Sequence, residues 1–395
     1  MKKLGLYVHI PFCERKCNYC DFYSVSKSDI VEKQYIKALL EEIKSYKNIS
    51  KDYVVDSIFI GGGTPSYLNH ENIGLILDEI KNIFILSDDI EVTMEANPNS
   101  ITLDKVINYK KYGINRMSVG IQSLDKDILK IIGRLHNSKE ALEAIDTIKK
   151  AGINNINVDI MFNIPGQELS SIQSTLKQVI DKDIEHISFY SLKLEEGTPM
   201  YKMEESGIIK MVDDDIERNM YYEGRELMEN NGYYQYEISN FSKPGYECRH
   251  NIKYWTGGEY IGFGPFAHSC FKDNRFNNIS DIKRYCENMN EPNKYRHLNE
   301  VLDKESKMFE YIMLRLRMNS GFIIEDFNGE FNIDFMKKYK NQIDSLLKYQ
   351  LIDIDNGKVK LTKKGMDVSN YVFEEFLLVW GRLLYGDYNI KILHI

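Results

Sequence analysis

The sequence has no apolar run approaching the ~20 residues that a helix needs to cross a bilayer. Its longest, Phe376-Leu377-Leu378-Val379-Trp380, is far too short. It also lacks a basic excess. Lys plus Arg number 51 against 59 Asp plus Glu, a formal charge of −8, so there is no global attraction for nucleic acid or an anionic membrane. Lys2 and Lys3 are not followed by an apolar stretch and a small-residue cleavage site, so no signal peptide is read and a cytoplasmic location is expected. Six cysteines in 395 residues are too few for a disulfide scaffold. With 43% hydrophobic and 28% charged residues, disorder and collagen-like structure are excluded as well.

Three of the six cysteines crowd together as Cys13, Cys17 and Cys20. In a reducing compartment such clustering points to metal or redox chemistry. Cys248, Cys270 and Cys286 have no compact spacing and read as ordinary thiols.

The first 200 residues alternate short β-rich runs with helical periods. Strands are expected at Leu4–Ile10, Val54–Ile60, Ile90–Glu95, Arg116–Gln122, Asn155–Phe162 and His186–Leu192, mostly apolar as for parallel strands covered on both faces. Apolar stripes such as Ile73, Ile76, Leu77 and Ile80 mark the intervening helices. Two helix-to-strand junctions nearly repeat each other, with Gly113 and Gly152, 39 residues apart, where a helix should end left-handed. Six βα units fall short of the eight of a closed barrel. The expected fold class is therefore α/β, an open, partial (β/α)6 barrel over residues 1–200. Residues 201–300 read as an α+β extension. Residues 301–395 read as a winged-helix-like domain, with Asn356-Gly357 marking a type I′ hairpin. Its 14 basic and 14 acidic side chains argue for docking or support, not DNA binding.

The cysteines follow the first expected strand, at the end of a βα barrel where active sites assemble. Three thiolates on one loop can hold three corners of a [4Fe-4S] cluster and leave one iron open. Two other readings stand beside this one. His9 could complete a Cys₃His zinc site, or Cys17-Asn18-Tyr19-Cys20 could be a redox dithiol. Gly61-Gly62-Gly63-Thr64-Pro65 follows the second strand and would let a ligand approach the backbone closely. Glu95, Gln122, Arg134 and Asp159 lie in or after later strands, and a charge isolated in an apolar strand needs a partner. Together they suggest a pocket.

The Tyr7-x5-Cys13-x3-Cys17-x2-Cys20 loop and the Gly61–Pro65 loop resemble those of radical S-adenosylmethionine enzymes. Within them, almost the whole chain resembles the family of oxygen-independent coproporphyrinogen III oxidase and its haem-chaperone relatives. The resemblance implies a [4Fe-4S] cluster on Cys13, Cys17 and Cys20, with S-adenosylmethionine at its open iron and subject to reductive cleavage. The binding positions it implies are Tyr7, Tyr19, Gly62, Gly63, Thr64, Glu95, Gln122, Arg134, Asp159 and Ser191.

Two departures favour the chaperone branch. The oxidase resembles CxxxCxxCxC, whereas Phe22 stands at the last of those positions here, and only twelve residues precede Cys13. Cys248-Arg249-His250-Asn251-Ile252-Lys253-Tyr254-Trp255 resembles the HNxxY segment of that branch, implying haem contact through His250, Asn251 and Tyr254, with His268 a second candidate ligand. The spacing alone better describes a hydrogen-bonded core histidine beside a Tyr-rich substructure, and the resemblance reverses that preference. The expected function is haem delivery to acceptor haem proteins, with an electron donor, no nucleic acid, and membrane contact only peripherally through the acceptors. The alternatives are oxidative decarboxylation of coproporphyrinogen III, or a zinc-bound scaffold with a docking domain.

Overall fold

Six βα units follow one another from the N-terminus of the computed structural model, which describes residues 1–288 and 291–377. Their strands are β1 (Lys2–Ile10), β2 (Tyr53–Gly62), β3 (Ile85–Ala96), β4 (Arg116–Gln122), β5 (Asn155–Phe162) and β6 (His186–Ser191). Each neighbouring pair is parallel. Between them run α1 (Asp29–Ser45), α2 (His70–Ile83), α3 (Leu103–Tyr112), α4 (Ser138–Lys150) and α5 (Leu169–Ile180). Local chemistry sets these boundaries. Ser28 and Thr102 cap α1 and α3, and Asn137 with Glu140 forms a capping box on α4. Gly113 ends α3 at φ 107° and Gly152 follows α4 at φ 87°, left-handed as expected.

The barrel is open. Its sheet continues through β7 (Tyr234–Glu237), β8 (Asn240–Ser242), β9 (Tyr260–Phe263), β10 (His268–Phe271), β11 (Asn274–Asn278) and β12 (Arg296–Val301), in the order β12-β11-β10-β9-β1-β2-β3-β4-β5-β6-β8-β7. The strands of residues 201–300 thus extend the barrel sheet at both ends.

One expectation needs correction. The parallel strands are not apolar on both faces. One alternate set, such as Leu4, Leu6, Val8 and Ile10, or Met117, Val119 and Ile121, is fully buried. The other set is polar: Glu91, Thr93 and Glu95 on β3, Arg116, Ser118 and Gln122 on β4, Asn157 and Asp159 on β5, His186, Ser188 and Tyr190 on β6. These side chains bond to one another across strands, which places them on one face. Asn157 Nδ2 donates to Ser118 Oγ (2.7 Å) and Asp159 Oδ1 (2.7 Å), and His186 Nδ1 donates to Asn157 Oδ1 (2.6 Å). The inside of the barrel is a polar lumen.

The chain separates into two compact units, the first being Met1–Gln235, Ser239–His250 and Glu259–Glu300. The second comprises Tyr236–Ile238, Asn251–Gly258 and the described residues from Val301 onward. In it, helices Lys304–Leu316 and Ile324–Phe331 precede the hairpin Ile352–Asp355/Lys358–Leu361, whose sheet also takes up Phe322–Ile323. Asn356 (φ 51°) and Gly357 (φ 75°) are both left-handed, as a type I′ turn requires. Two further helices, Phe335–Lys338 and Lys340–Lys348, follow one another. Tyr339 leaves helical geometry (ψ 23°) and packs its buried ring against Phe335 and Phe376. The apolar run at 376–380 ends outside the described residues.

Candidate functional site

The cysteine loop leaves β1 and returns as a closed excursion. Phe12–Cys13 pairs in parallel with Val25–Ser26, and Val25 N–H donates to Pro11 O (2.7 Å). Asn18 anchors its far side. Its side chain donates to Ile131 O (2.8 Å), its N–H to Ile132 O (3.0 Å), and its carbonyl accepts from Met200 N–H (2.9 Å). Cys13, Cys17 and Cys20 are all free and half-buried. Burial pushes the Cys13 thiol up, and the Cys20 thiol up to about 12. Cys13 and Cys20 are stable as thiolates only with a positive centre to hold them.

Two donors already point at the sulfurs. Thr64 Oγ1 donates to Cys13 Sγ (3.5 Å) and Arg134 Nη1 to Cys17 Sγ (3.6 Å). Asn97 joins these two donors, giving Nδ2–H to Thr64 Oγ1 (3.1 Å) and accepting from Arg134 Nη2 at Oδ1 (2.8 Å). Arg134 Nη2 also donates to Gly120 O. Asn97 was not singled out from sequence, although its place directly after Glu95-Ala96 at a strand end is the signal that would find it. A small cleft opens here, lined by Cys17, Thr64, Asn97 and Arg134 among others.

The triple glycine is a packing requirement as much as a ligand surface. A Cβ on Gly61 would meet Glu95 Oε2 at 2.8 Å. One on Gly63 would meet Phe12 O at 2.7 Å, and one on Gly62 (φ 106°) would meet the His9 ring at 2.5 Å. Gly63 N–H and Thr64 N–H donate to Ile10 O and Phe12 O (both 2.8 Å), tying this strip to the cysteine loop.

Below it lie the carboxyls. Glu95 accepts from Gly62 N–H (3.0 Å), and burial, with the Asp159 charge, pushes it up to about 8. Asp159 is also raised by burial, opposed by bonds from Ser188, Asn157 and Ser118. Gln122, at φ 70° where β4 slips register, accepts from Tyr190 O–H (2.8 Å). Tyr7 and Tyr19 are both raised by burial, so their rings enter as neutral phenols. Tyr7 O–H donates to His9 Nδ1 (3.0 Å), and His9 Nε2–H donates to Tyr23 O (3.0 Å). Both imidazole nitrogens of His9 are thereby engaged, which speaks against a Cys₃His zinc site; burial lowers its pKa to about 4.

Ser191 is not brought to this lumen. It follows lumen-facing Tyr190 by one residue, so it faces the other way, donating to Glu217 Oε1 (2.5 Å) and accepting from Asn163 (3.1 Å). His250 lies at the opposite end of the barrel. The segment is helical, Arg249–Trp255. Its first turn docks on Glu91, which accepts from Arg249 N–H and His250 N–H (both 3.1 Å) and from Cys248 Sγ (3.6 Å). The His250 ring is fully buried, with Nδ1 2.9 Å from Ser57 Oγ and its plane against Phe59. Ser57 precedes Gly61 by four residues, roughly 13 Å along the strand. Tyr254 is buried and Asn251 half-buried.

Residues 7–179 match the Radical SAM superfamily and residues 302–368 the HemN C-terminal domain. The chain is 35% identical over 377 residues to the haem chaperone HemW of Lactococcus lactis, covering 95% of this chain and 98% of that one. It is 34% identical to the HemW of Bacillus subtilis, covering 94% and 98%. The chain belongs to the HemW family. In three dimensions it is similar to coproporphyrinogen III oxidase (HemN) from Escherichia coli, a radical SAM enzyme, with a TM-score of 0.84 at 21% identity over 95% of this chain and 90% of the other. That likeness carries the fold. The donor set fits: three thiols on one loop, an arginine and a threonine aimed at sulfur, and two desolvated carboxyls beyond them.

Proposed function

We propose that this protein is a cytoplasmic haem chaperone, which binds haem and passes it to acceptor haem proteins from a radical S-adenosylmethionine scaffold. The observation that carries the reading is full-length similarity to proteins named Heme chaperone HemW, extending through both units. No described helix is long and apolar enough to cross a membrane, so contact with membrane-bound acceptors would be peripheral.

Cys13, Cys17 and Cys20 would hold a [4Fe-4S] cluster, and Thr64 and Arg134 would stabilise its sulfur charge by hydrogen bonding. S-adenosylmethionine bound beside it supplies radical chemistry when an electron donor reduces the cluster. Around it the chain's own groups have defined tasks. Glu95 and Asp159 complement a cationic ligand by charge, the Gly61–Gly63 strip admits it to the backbone, and Gln122 and Tyr190 form a neutral wall. Phe22 is 50% exposed where the oxidase branch resembles a further cysteine, which supports the chaperone reading over coproporphyrinogen decarboxylation.

The test is a direct contrast. Anaerobically prepared protein with cluster, reductant and S-adenosylmethionine should bind haem and transfer it to an apo-haem protein, and form no protoporphyrinogen IX from coproporphyrinogen III. Turnover of coproporphyrinogen III without haem transfer would replace this reading with the oxidase.

A further inference from the structure

Gln122 carries φ 70°, a backbone region that a residue with a side chain seldom adopts. Its neighbours define the turn. Ser123 N–H donates to Ile121 O (2.9 Å), two residues back. A hydrogen bond of that span around a positive φ makes a γ-turn of the rare, strained hand. Strain of this kind persists only where the surroundings over-determine it.

The stretch Arg134-Leu135-His136 supplies much of that hold. Buried His136 sets Nε2 3.1 Å from Ile121 O, the carbonyl that closes the turn. A carbonyl only accepts, so Nε2 carries the hydrogen and donates. Burial and the Arg134 charge lower the pKa of the ring to about 3, which keeps it neutral. Two residues earlier, Arg134 Nη2 donates to Gly120 O. The two carbonyls before Gln122 are thus each gripped by a side chain. Beyond it, Leu124 N–H donates to Thr175 Oγ1 on α5 (3.2 Å), and buried Ser123 Oγ accepts from Asp125 N–H (3.0 Å).

The strained turn decides where an amide goes. Gln122 lies where β4 slips register against β5, and its Oε1 accepts from Tyr190 O–H on β6 (2.8 Å). A Cβ on Gly120 would meet Arg134 Nη2 and Gln122 Nε2, each at 3.2 Å. The guanidinium and the amide therefore converge over Gly120, beside the lumen.

We propose that His136 is a positioning residue: by holding the Ile121 carbonyl, it fixes the γ-turn that presents the Gln122 amide to the ligand. This rests on the reading of the lumen as an S-adenosylmethionine site, and adds to that site a residue that acts through Gln122.

Equilibrium binding of S-adenosylmethionine to the anaerobically reconstituted full-length protein tests it, with hydrogen exchange over residues 121–124 as a second readout. His136→Leu should weaken binding roughly threefold to tenfold, the equivalent of one lost hydrogen bond, and speed that exchange. His136→Asn, whose amide stops short of the Ile121 carbonyl, should do the same. His136→Gln carries its amide nitrogen out to where Nε2 stood, and should bring both readouts back near wild type. Gln122→Gly accepts the positive φ and lacks the amide, so adding His136→Leu to it should cost no further affinity. A purely structural His136 would instead lower affinity equally in both backgrounds, and that result overturns the proposal. Binding as tight as wild type in both the Leu and the Asn variants overturns it too, with the site reading intact. If wild-type protein takes up no S-adenosylmethionine, the site reading falls and the proposal with it.

Discussion

Glu91 and Glu95 stand on the same face of the same strand, four residues apart, and the barrel treats them differently. Glu91, at the floor, accepts from two backbone N–H groups and a thiol. Glu95, at the mouth, accepts from one backbone N–H and feels the Asp159 charge. Burying a charge is costly unless donors replace the water it loses. The floor supplies those donors from the protein. The mouth supplies Glu95 with fewer, and Cys17 there lines a cleft with Thr64, Asn97 and Arg134. The contrast separates a carboxylate fully supplied with donors from one left short of them at the cysteine-loop end.

The widest break in that comparison comes from cysteine. Cys13→Ala, Cys17→Ala or Cys20→Ala should abolish assembly of the iron–sulfur cluster, because each thiolate supplies one corner. Cys248→Ala, at the floor, should keep full iron and sulfide content. Analysis of both elements in anaerobically reconstituted protein checks this, and a Cys248 variant without iron would erase the distinction between the two ends.

Next in size is the floor carboxylate. Glu91→Ala strips the acceptor from the buried N–H groups of Arg249 and His250, and should cost roughly 2–5 kcal/mol of stability in urea denaturation. Glu95→Ala removes a poorly solvated carboxyl and should cost far less. Equal losses at the two positions would show that both ends are merely structural.

A finer test uses pH. The folded carboxyl of Glu95 titrates near 8, well above the 4.5 of an unperturbed glutamate. Between those values the folded protein holds a proton that the unfolded chain has released. Stability of the ligand-free protein should therefore fall as pH rises through that window and level off above it. Glu95→Gln should flatten the slope. S-adenosylmethionine is cationic and favours the ionised carboxylate, so its affinity should rise over the same range in wild type only. An unchanged slope in Glu95→Gln would assign the pH dependence elsewhere.

Much of this was legible in the sequence. Left-handed glycines at 113 and 152, the Asn356-Gly357 turn and the apolar runs located the βα units and the wing, since each signal is local. The cysteine spacing located the loop. The lumen was not legible as a whole. Asp159 stands out as an isolated charge, but its partners Ser118, Asn157 and Ser188 come from three strands, and no single window holds them. Arg134 and Asn97 are likewise joined only by folding. Ser191 shows how sharp the limit is: one residue from Tyr190, it belongs to the opposite face. For His250 and Tyr254, four-residue spacing aligns two side chains on a helix but says nothing about whether that face is covered.

The Asn18 anchor has a consequence for upkeep. Cysteine sulfurs pass through protonated, oxidised and metal-bound forms. Every group in the anchor is an amide: the Asn18 side chain and backbone, and the backbones of Ile131, Ile132 and Met200. None of those bonds depends on what the neighbouring sulfurs carry. Damage and repair at the cysteines can then proceed as chemistry on a held loop, with no refolding step in the cycle.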